Sequence, residues 1–304
     1  MLNKIYLQGD PPASSTTKKP KEAATVILVR QALDDSWEIF LARRHRHQSF
    51  MAGAFVFPGG QLENSDGDPE LCGLLADDFH PQALLQNNSL TEDAARGFFV
   101  AAIRETFEEA GILLAGDSCG NFISLQQEEV IARFSGYRRD LNSHQLSFQE
   151  IIHRENLFLF PNALIPYSHW ITPESAAKRF DTYFFLARLP RGQEAVSDCA
   201  ELTELLWVSP QNALQMHFSG KISLMPPTLK TITELAKFSS IEELLAAAKT
   251  RIIYPILPQE FAAGVKLPHD PEYDLLQYKR PANPDEPCRI IIEDGIWKAV
   301  FYND

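Results

Sequence analysis

Apolar and polar positions along the chain switch between two periods. Residues 24–29 (ATVILV) form a continuous, largely β-branched run, the pattern of a strand covered on both faces. Residues 37–42 (WEIFLA) follow the turn-like Asp34-Asp35-Ser36 and predict a second strand. Residues 55–57 predict a third, ending at Pro58-Gly59-Gly60. Further strands are predicted at 157–160, 182–189 and 204–208. Ser89 with Glu92 three residues on fits a capping box, and a long helical pattern then runs to about Leu114. Residues 124–154 are mixed and helix-prone. A helix is expected from Pro210, and 227–251 reads as two helices parted at Ser239-Ser240. Residues 255–288 are Pro-rich and read as irregular.

The order of strands, loop, helix, strands, helix and helical tail predicts an α+β sandwich rather than a doubly wound sheet. A polar lead is expected over residues 1–22 and a principal domain over 23–220. A helical and Pro-rich extension is expected over 221–304, packed on that domain.

Charge narrows the partners. Lys and Arg number 28 against 40 Asp and Glu, a formal net charge of -12. Long nucleic acids are poor partners for such a chain, because their affinity comes from neutralised phosphates. A small phosphate ligand needs only a local basic cluster, and Arg43-Arg44-His45-Arg46-His47 is one. Strand alternation sends Arg44 and Arg46 to one face and Arg43 to the other. Arg44 and Arg46 are therefore candidate phosphate contacts, and Arg179 beside Phe180-Asp181 is another. Trp170, Tyr183 and Phe184 are candidates to stack on a base. The four cysteines are widely spaced, with no zinc pattern, which predicts reduced thiols in a cytosol. No secretion signal or membrane anchor is visible, so no membrane partner is expected.

The richest segment is Ala101-Ala102-Ile103-Arg104-Glu105-Thr106-Phe107-Glu108-Glu109-Ala110-Gly111-Ile112. At about 100° per residue, Glu105, Glu108 and Glu109 fall within an arc of about 100°. A solvated acidic face is the common meaning of such a cluster. Here the helix is apolar nearly all round, the pattern of an element covered on both faces. Arg104 is its only cation from Phe98 to Leu114, and it reaches Glu108 at i,i+4. One arginine does not balance three carboxylates, and hard divalent cations such as Mg²⁺ or Mn²⁺ prefer oxygen ligands. Glu105, Glu108 and Glu109 are therefore the candidate ligands of one to three such ions.

Gly60, Asp66 and residues 104–112 together resemble the signature of the Nudix hydrolases. That signature is a glycine, five residues, an acid, seven residues, then R-E-U-x-E-E-x-G-U, with U aliphatic. Asp66 stands in place of the usual Glu, and Thr106 in place of an aliphatic. Between the acid and Arg104 lie 37 residues where seven are usual, an insertion of 30. The segments SFMAGAFVFPGG, RETFEEAGILL, HWITPESAAKRFDTYFFLARLP and MPPTLKTITELA resemble the long-insert Nudix group, over roughly residues 24–257. The resemblance implies a Nudix α/β/α sandwich with an insertion, about 67–90, inside the signature. It implies a divalent-cation-dependent hydrolase of nucleoside diphosphate derivatives.

For this group the resemblance implies cleavage of coenzyme A or acyl-CoA to 3′,5′-ADP and 4′-phosphopantetheine. An ADP-ribose or NADH pyrophosphatase is the alternative, and a Nudix domain that binds without cleaving is a third reading. The Gly60 carbonyl would be a further metal ligand, with Asp66 as a metal or supporting residue. Arg104 would hold the glutamates in place. The general base stays open among Glu105, Glu201 and Glu204. The bacterial coenzyme A motif is incomplete here: Phe40, Leu41, Arg44, Gly53 and Phe57 align, and Ser49 replaces its second arginine. The C-terminus is not of the S-K-L type, so a bacterial cytoplasm is expected. The tail helices, with Ile241, Leu244 and Leu245, are amphipathic enough to cover the site or to form a homodimer.

Overall fold

The computed structural model describes residues 19–33, 36–45, 51–75, 79–196 and 202–301. In chain order the strands are β1 (Lys21–Gln31), β2 (Trp37–Arg44), β3 (Phe55–Val56) and β4 (Gly59–Gln61). The helices α1 (Pro69–Cys72), α2 (Pro81–Leu85) and α3 (Glu92–Ala110) come next. Then follow β5 (Ala115–Gly116), α4 (Glu128–Asn142), α5 (Phe148–Arg154), β6 (Phe158–Leu159), β7 (Ile165–Ile171), β8 (Phe180–Arg188) and β9 (Leu202–Val208). The remainder is α6 (Pro210–Phe218), α7 (Pro226–Leu235), α8 (Ile241–Lys249) and β10 to β14 (Pro255–Ile256, Gln259–Phe261, Gly264–Lys266, Arg289–Glu293 and Ile296–Val300).

The main sheet is mixed and runs β10-β7-β8-β1-β2-β3, with β4 paired to β1 and β9 to β2. Its centre is β1, parallel to β8 from Lys21–Phe180 through Val29–Arg188. The run ATVILV is apolar on every residue but one because both its faces are covered. Ala24, Val26 and Leu28 pack toward α3, with Phe98, Phe99 and Ile103. Ile27 and Val29 pack toward the helices after β9, with Leu229, Ile232 and Leu244. These two cores make the α/β/α sandwich.

Helix α3 begins two residues later than the capping-box pattern suggests. Thr91, not Ser89, is the N-cap, its Oγ1 accepting from the Ala94 N–H at 3.2 Å. Ser89 instead turns to the Asn87 side chain at 2.6 Å. The helix stops at Ala110, short of Leu114, because Gly111 takes φ 71° and closes it with its N–H on the Phe107 carbonyl. Ile112, Leu113 and Leu114 are fully buried beyond that stop, which is why the apolar pattern outruns the helix.

The extension is not simply helical and irregular. After α7 and α8 it builds a four-stranded antiparallel sheet, β11-β12-β13-β14. Asp294 at φ 50° and Gly295 at φ 80° make the hairpin turn between its last two strands. The extension also reaches the main sheet, where Pro255 and Ile256 pair with His169 and Trp170 of β7. Among the described residues no helix is long and apolar enough to cross a membrane.

A buried ionic network fastens this extension. Lys230, 2 % exposed, pairs with Glu234 one turn on and with Glu286 at 3.1 Å. Arg251 bonds the other Glu234 oxygen at 2.8 Å, and the Tyr254 hydroxyl donates to Glu286 at 2.8 Å. Burial alone would raise the Glu286 carboxyl, but Lys230 and Arg251 outweigh it and hold the group at about 2. Removing one partner of such a cluster strands the others in the interior. K230M is expected to cost about 3–5 kcal/mol, read as a lower urea midpoint with an unchanged slope.

Candidate active site

The site is built on β4 and α3. At Gly59 a β-carbon would lie 2.3 Å from the Ala24 carbonyl oxygen. At Gly60 it would lie 2.4 Å from Glu105 Oε1. The glycine pair therefore lets strand and helix approach until the Glu105 carboxylate rests on backbone. The Gly59 N–H donates to Glu109 Oε2 at 2.8 Å, which fixes the next turn of the helix to the same strand.

Arg104 lies beneath the glutamates and is 3 % exposed. All five of its N–H groups are used. Nε and Nη2 hold Asp66 Oδ1 and Oδ2, both at 2.9 Å, and Nη2 also reaches the Gln61 carbonyl at 2.9 Å. Nη1 reaches Glu105 Oε1 at 2.8 Å and Glu108 Oε1 at 3.1 Å. Asp66 is 1 % exposed, and its Oδ2 accepts the Glu63 N–H at 2.8 Å as well. Asp66 is thus committed to Arg104 on both oxygens, not poised as a metal ligand. The insertion between them is spanned because the turn holding Asp66 packs directly on α3.

Helical spacing does place Glu105, Glu108 and Glu109 together, but they do not converge on one point. Arg104 draws the first two inward, and Glu109 turns to Gly59. Among the described residues no three carboxylate, imidazole or thiol groups stand ready around a single ion. The donor chemistry nevertheless fits a hard cation. Three carboxylates share one guanidinium, and a fourth, Glu109, stands one residue beyond Glu108 on the same helix. Burial pushes Glu105 up to about 8, Arg104 pulling the other way, and burial raises Glu108 as well.

These groups open on a cleft of about 1100 Å³. One arm runs past Leu71 and the stretch from Leu141 to Glu150. The other runs past Thr182, Phe184, Trp170, Thr172 and Lys178, and is walled by Pro227, Thr228 and Pro258 of the extension. Arg44 lines the cleft. Arg43 points elsewhere, pairing with Glu204 at 3.2 Å across strands β2 and β9. Glu204 is exposed and committed to that pair. Arg179 does not line the cleft, and its Nε donates to the Thr172 carbonyl at 3.1 Å. Lys178, one residue earlier and not singled out from sequence, is the cation on that wall. Trp170 and Phe184 line the cleft, whereas Tyr183 lies on the opposite face, stacked 4.1 Å from His169. Arg46 and Glu201 lie outside the described residues.

The end of α3 is held by a residue that sequence reasoning missed. Arg138 of α4 donates from Nε to the Glu108 carbonyl at 2.7 Å and from Nη1 to the Val196 carbonyl at 2.6 Å. A cation at a helix C-terminus is favourable, but nothing in the spacing of residues 104 and 138 announces the contact.

A model of the NUDT19 Nudix domain matches residues 20–235, well over half of the chain. The chain belongs to the Nudix family. It is a Nudix hydrolase, and enzymes of this family generally use divalent cations. It is 28 % identical over 281 residues to the acyl-coenzyme A diphosphatase NUDT19 of Xenopus laevis, covering 76 % of this chain and 73 % of that protein. The human protein of the same name is 30 % identical over 244 residues, covering 69 % of this chain and 63 % of its own. In structure the chain is similar to a Nudix hydrolase from Alicyclobacillus acidocaldarius. The TM-score is 0.63 at 24 % identity, covering 77 % of this chain and 98 % of the other.

The raised Glu105 carboxyl carries a consequence for stability. The folded chain binds its proton more tightly than the unfolded chain does. The metal-free protein should therefore lose stability as pH rises from about 4.5 toward about 8. E105Q removes this slope. In chelator at pH 8 its melting temperature is expected about 2–4 °C above wild type, and near equal to it at pH 5. Melting curves across that range check this.

Proposed function

We propose that the enzyme hydrolyses the diphosphate linkage of coenzyme A or acyl-CoA, giving 3′,5′-ADP and 4′-phosphopantetheine or its acyl form. The observation that carries the reading is a carboxylate cluster with a single guanidinium, set on glycine backbone in a cleft lined also by residues 141–150 and by β7, β8 and the start of α7. A diphosphate that joins two dissimilar halves fits such a cleft, each half lying along one arm. The similarity to acyl-coenzyme A diphosphatases supports this choice over other diphosphates.

In this reading Glu105, Glu108 and Glu109, with the Gly60 carbonyl, hold Mg²⁺ or Mn²⁺. Such a cation, when bound, neutralises the diphosphate and makes water a better nucleophile. Arg104 holds Glu105 and Glu108 at fixed positions, and Asp66 holds Arg104. Glu105 rests against Gly60 at the floor of the cleft, so it is the described carboxylate best placed to take a proton from the attacking water. Arg44 supplies positive charge to the phosphates from the β2 side.

The test is hydrolysis of free coenzyme A in Mg²⁺ or Mn²⁺, with products identified by mass. The expected products are 3′,5′-ADP and 4′-phosphopantetheine, with turnover lowered about 10²-fold or more in E109Q. Cleavage of ADP-ribose or NADH without cleavage of coenzyme A would keep the chemistry and reject the substrate. Tight binding with no turnover of any diphosphate would favour a binding role.

A further inference from the structure

The charges lining the cleft are divided unevenly. Every lining carboxylate belongs to the stretch from Glu63 to Asp66, to α3, or to α5 at Glu150. The arm floored by Trp170 carries none among the described residues, and Lys178 lies on its wall.

Two hydrogen-bond donors on that arm have no acceptor in the described chain. Trp170 is 4 % exposed, and its indole N–H is buried without a partner. The second is the N–H of Thr228. Helix α7 has ten residues and starts Pro226-Pro227-Thr228, so Thr228 carries its first N–H. The first intrahelical bond is made one residue later, from the Leu229 N–H to the Met225 carbonyl. The N-cap residue Met225 offers no side-chain acceptor. A buried donor left unpaired costs about 1–3 kcal/mol, and a helix N-terminus favours negative charge.

The sheet gives the distance. Gln61, Ala23, Thr182 and Trp170 form one row across β4, β1, β8 and β7. Three strand spacings put Trp170 about 14 Å from the strand that carries Gly60. This is beyond the reach of the scissile diphosphate itself and within reach of the group attached to it.

We propose that this arm is an anion subsite, in which Trp170 and the N-terminus of α7 bind a phosphate monoester of the substrate's nucleotide half, apart from the scissile linkage. The proposal rests on the diphosphatase reading for its substrate. It would make Trp170 and Thr228 the residues that separate nucleotides with an extra phosphate from those without one.

The test is calorimetric titration of the full chain in chelator with adenosine 3′,5′-bisphosphate and with 5′-AMP. The bisphosphate is expected to bind about tenfold more tightly. W170F keeps an aromatic ring and removes the N–H. T228P removes the backbone N–H at a first-turn position that tolerates proline. Each is expected to bring the ratio of the two affinities down toward one. The ratio is the readout because a folding defect lowers both affinities together. Equal affinities in wild type would overturn the proposal, as would a preference that survives both substitutions. Failure to cleave coenzyme A with the preference intact would reject the hydrolase substrate and leave the subsite standing.

Discussion

The guanidinium of Arg104 is the group on which the rest of the site depends. Burial disfavours its charge, and five acceptors at 2.8–3.1 Å restore it. Those acceptors come from β4, from the turn after it and from α3 itself. One side chain therefore fixes the register between a strand and a helix that are distant in sequence. It also sets the electrostatics above it. By satisfying Asp66 completely, Arg104 has only one nitrogen left for Glu105 and Glu108. Burial leaves both glutamates reluctant to ionise, and that shared nitrogen offsets it only in part.

The packing follows from that constraint. A helix carrying buried charge has to be covered, and α3 is buried over most of its length after the first turn, opening where Glu105 and Glu108 line the cleft. The sheet takes Phe98, Phe99 and Ile103, and α4 and α5 contribute Phe134 and Phe148 near Phe107. Glycine at 59 and 60 is the complementary requirement on the strand, since any β-carbon there would meet backbone or the Glu105 carboxylate. The long insertion is accommodated because it leaves from the Asp66 turn and returns at the N-terminus of α3. Asp66 and Arg104 thus meet although 37 residues lie between them.

Much of this was legible in the residues, and what was not has physical causes. The strands ATVILV and WEIFLA, the helix from Pro210 and the break before Ile241 are local signals of period and capping, and the chain uses them. The carboxylate helix was legible because three glutamates on an apolar helix are a local contradiction that calls for an explanation. Strand β7 was hidden because Pro166, Ser168 and His169 interrupt its pattern and a bulge lies between Pro166 and Ser168. The short strands of the extension were masked by surrounding prolines, although Asp294-Gly295 is a hairpin turn written in the sequence. The true partner of Asp66, the clasp of Arg138 and the position of Lys178 rather than Arg179 in the cleft are tertiary facts. No spacing along the chain encodes them.

The reach of the extension to β7 bears on where this fold ends. The family match stops at residue 235, yet Pro255 and Ile256 pair with β7 some twenty residues later. Beyond β7 the main sheet has no other described strand on that side. Without β10 the backbone of His169 and Trp170 would become a bare sheet margin, open to pairing with another chain. A protein cut at the family boundary would thus gain a sticky edge as well as lose a wall of its cleft. Its failure would show as self-association of a chain that has also lost Ile241, Leu244 and Ile256 from its second core.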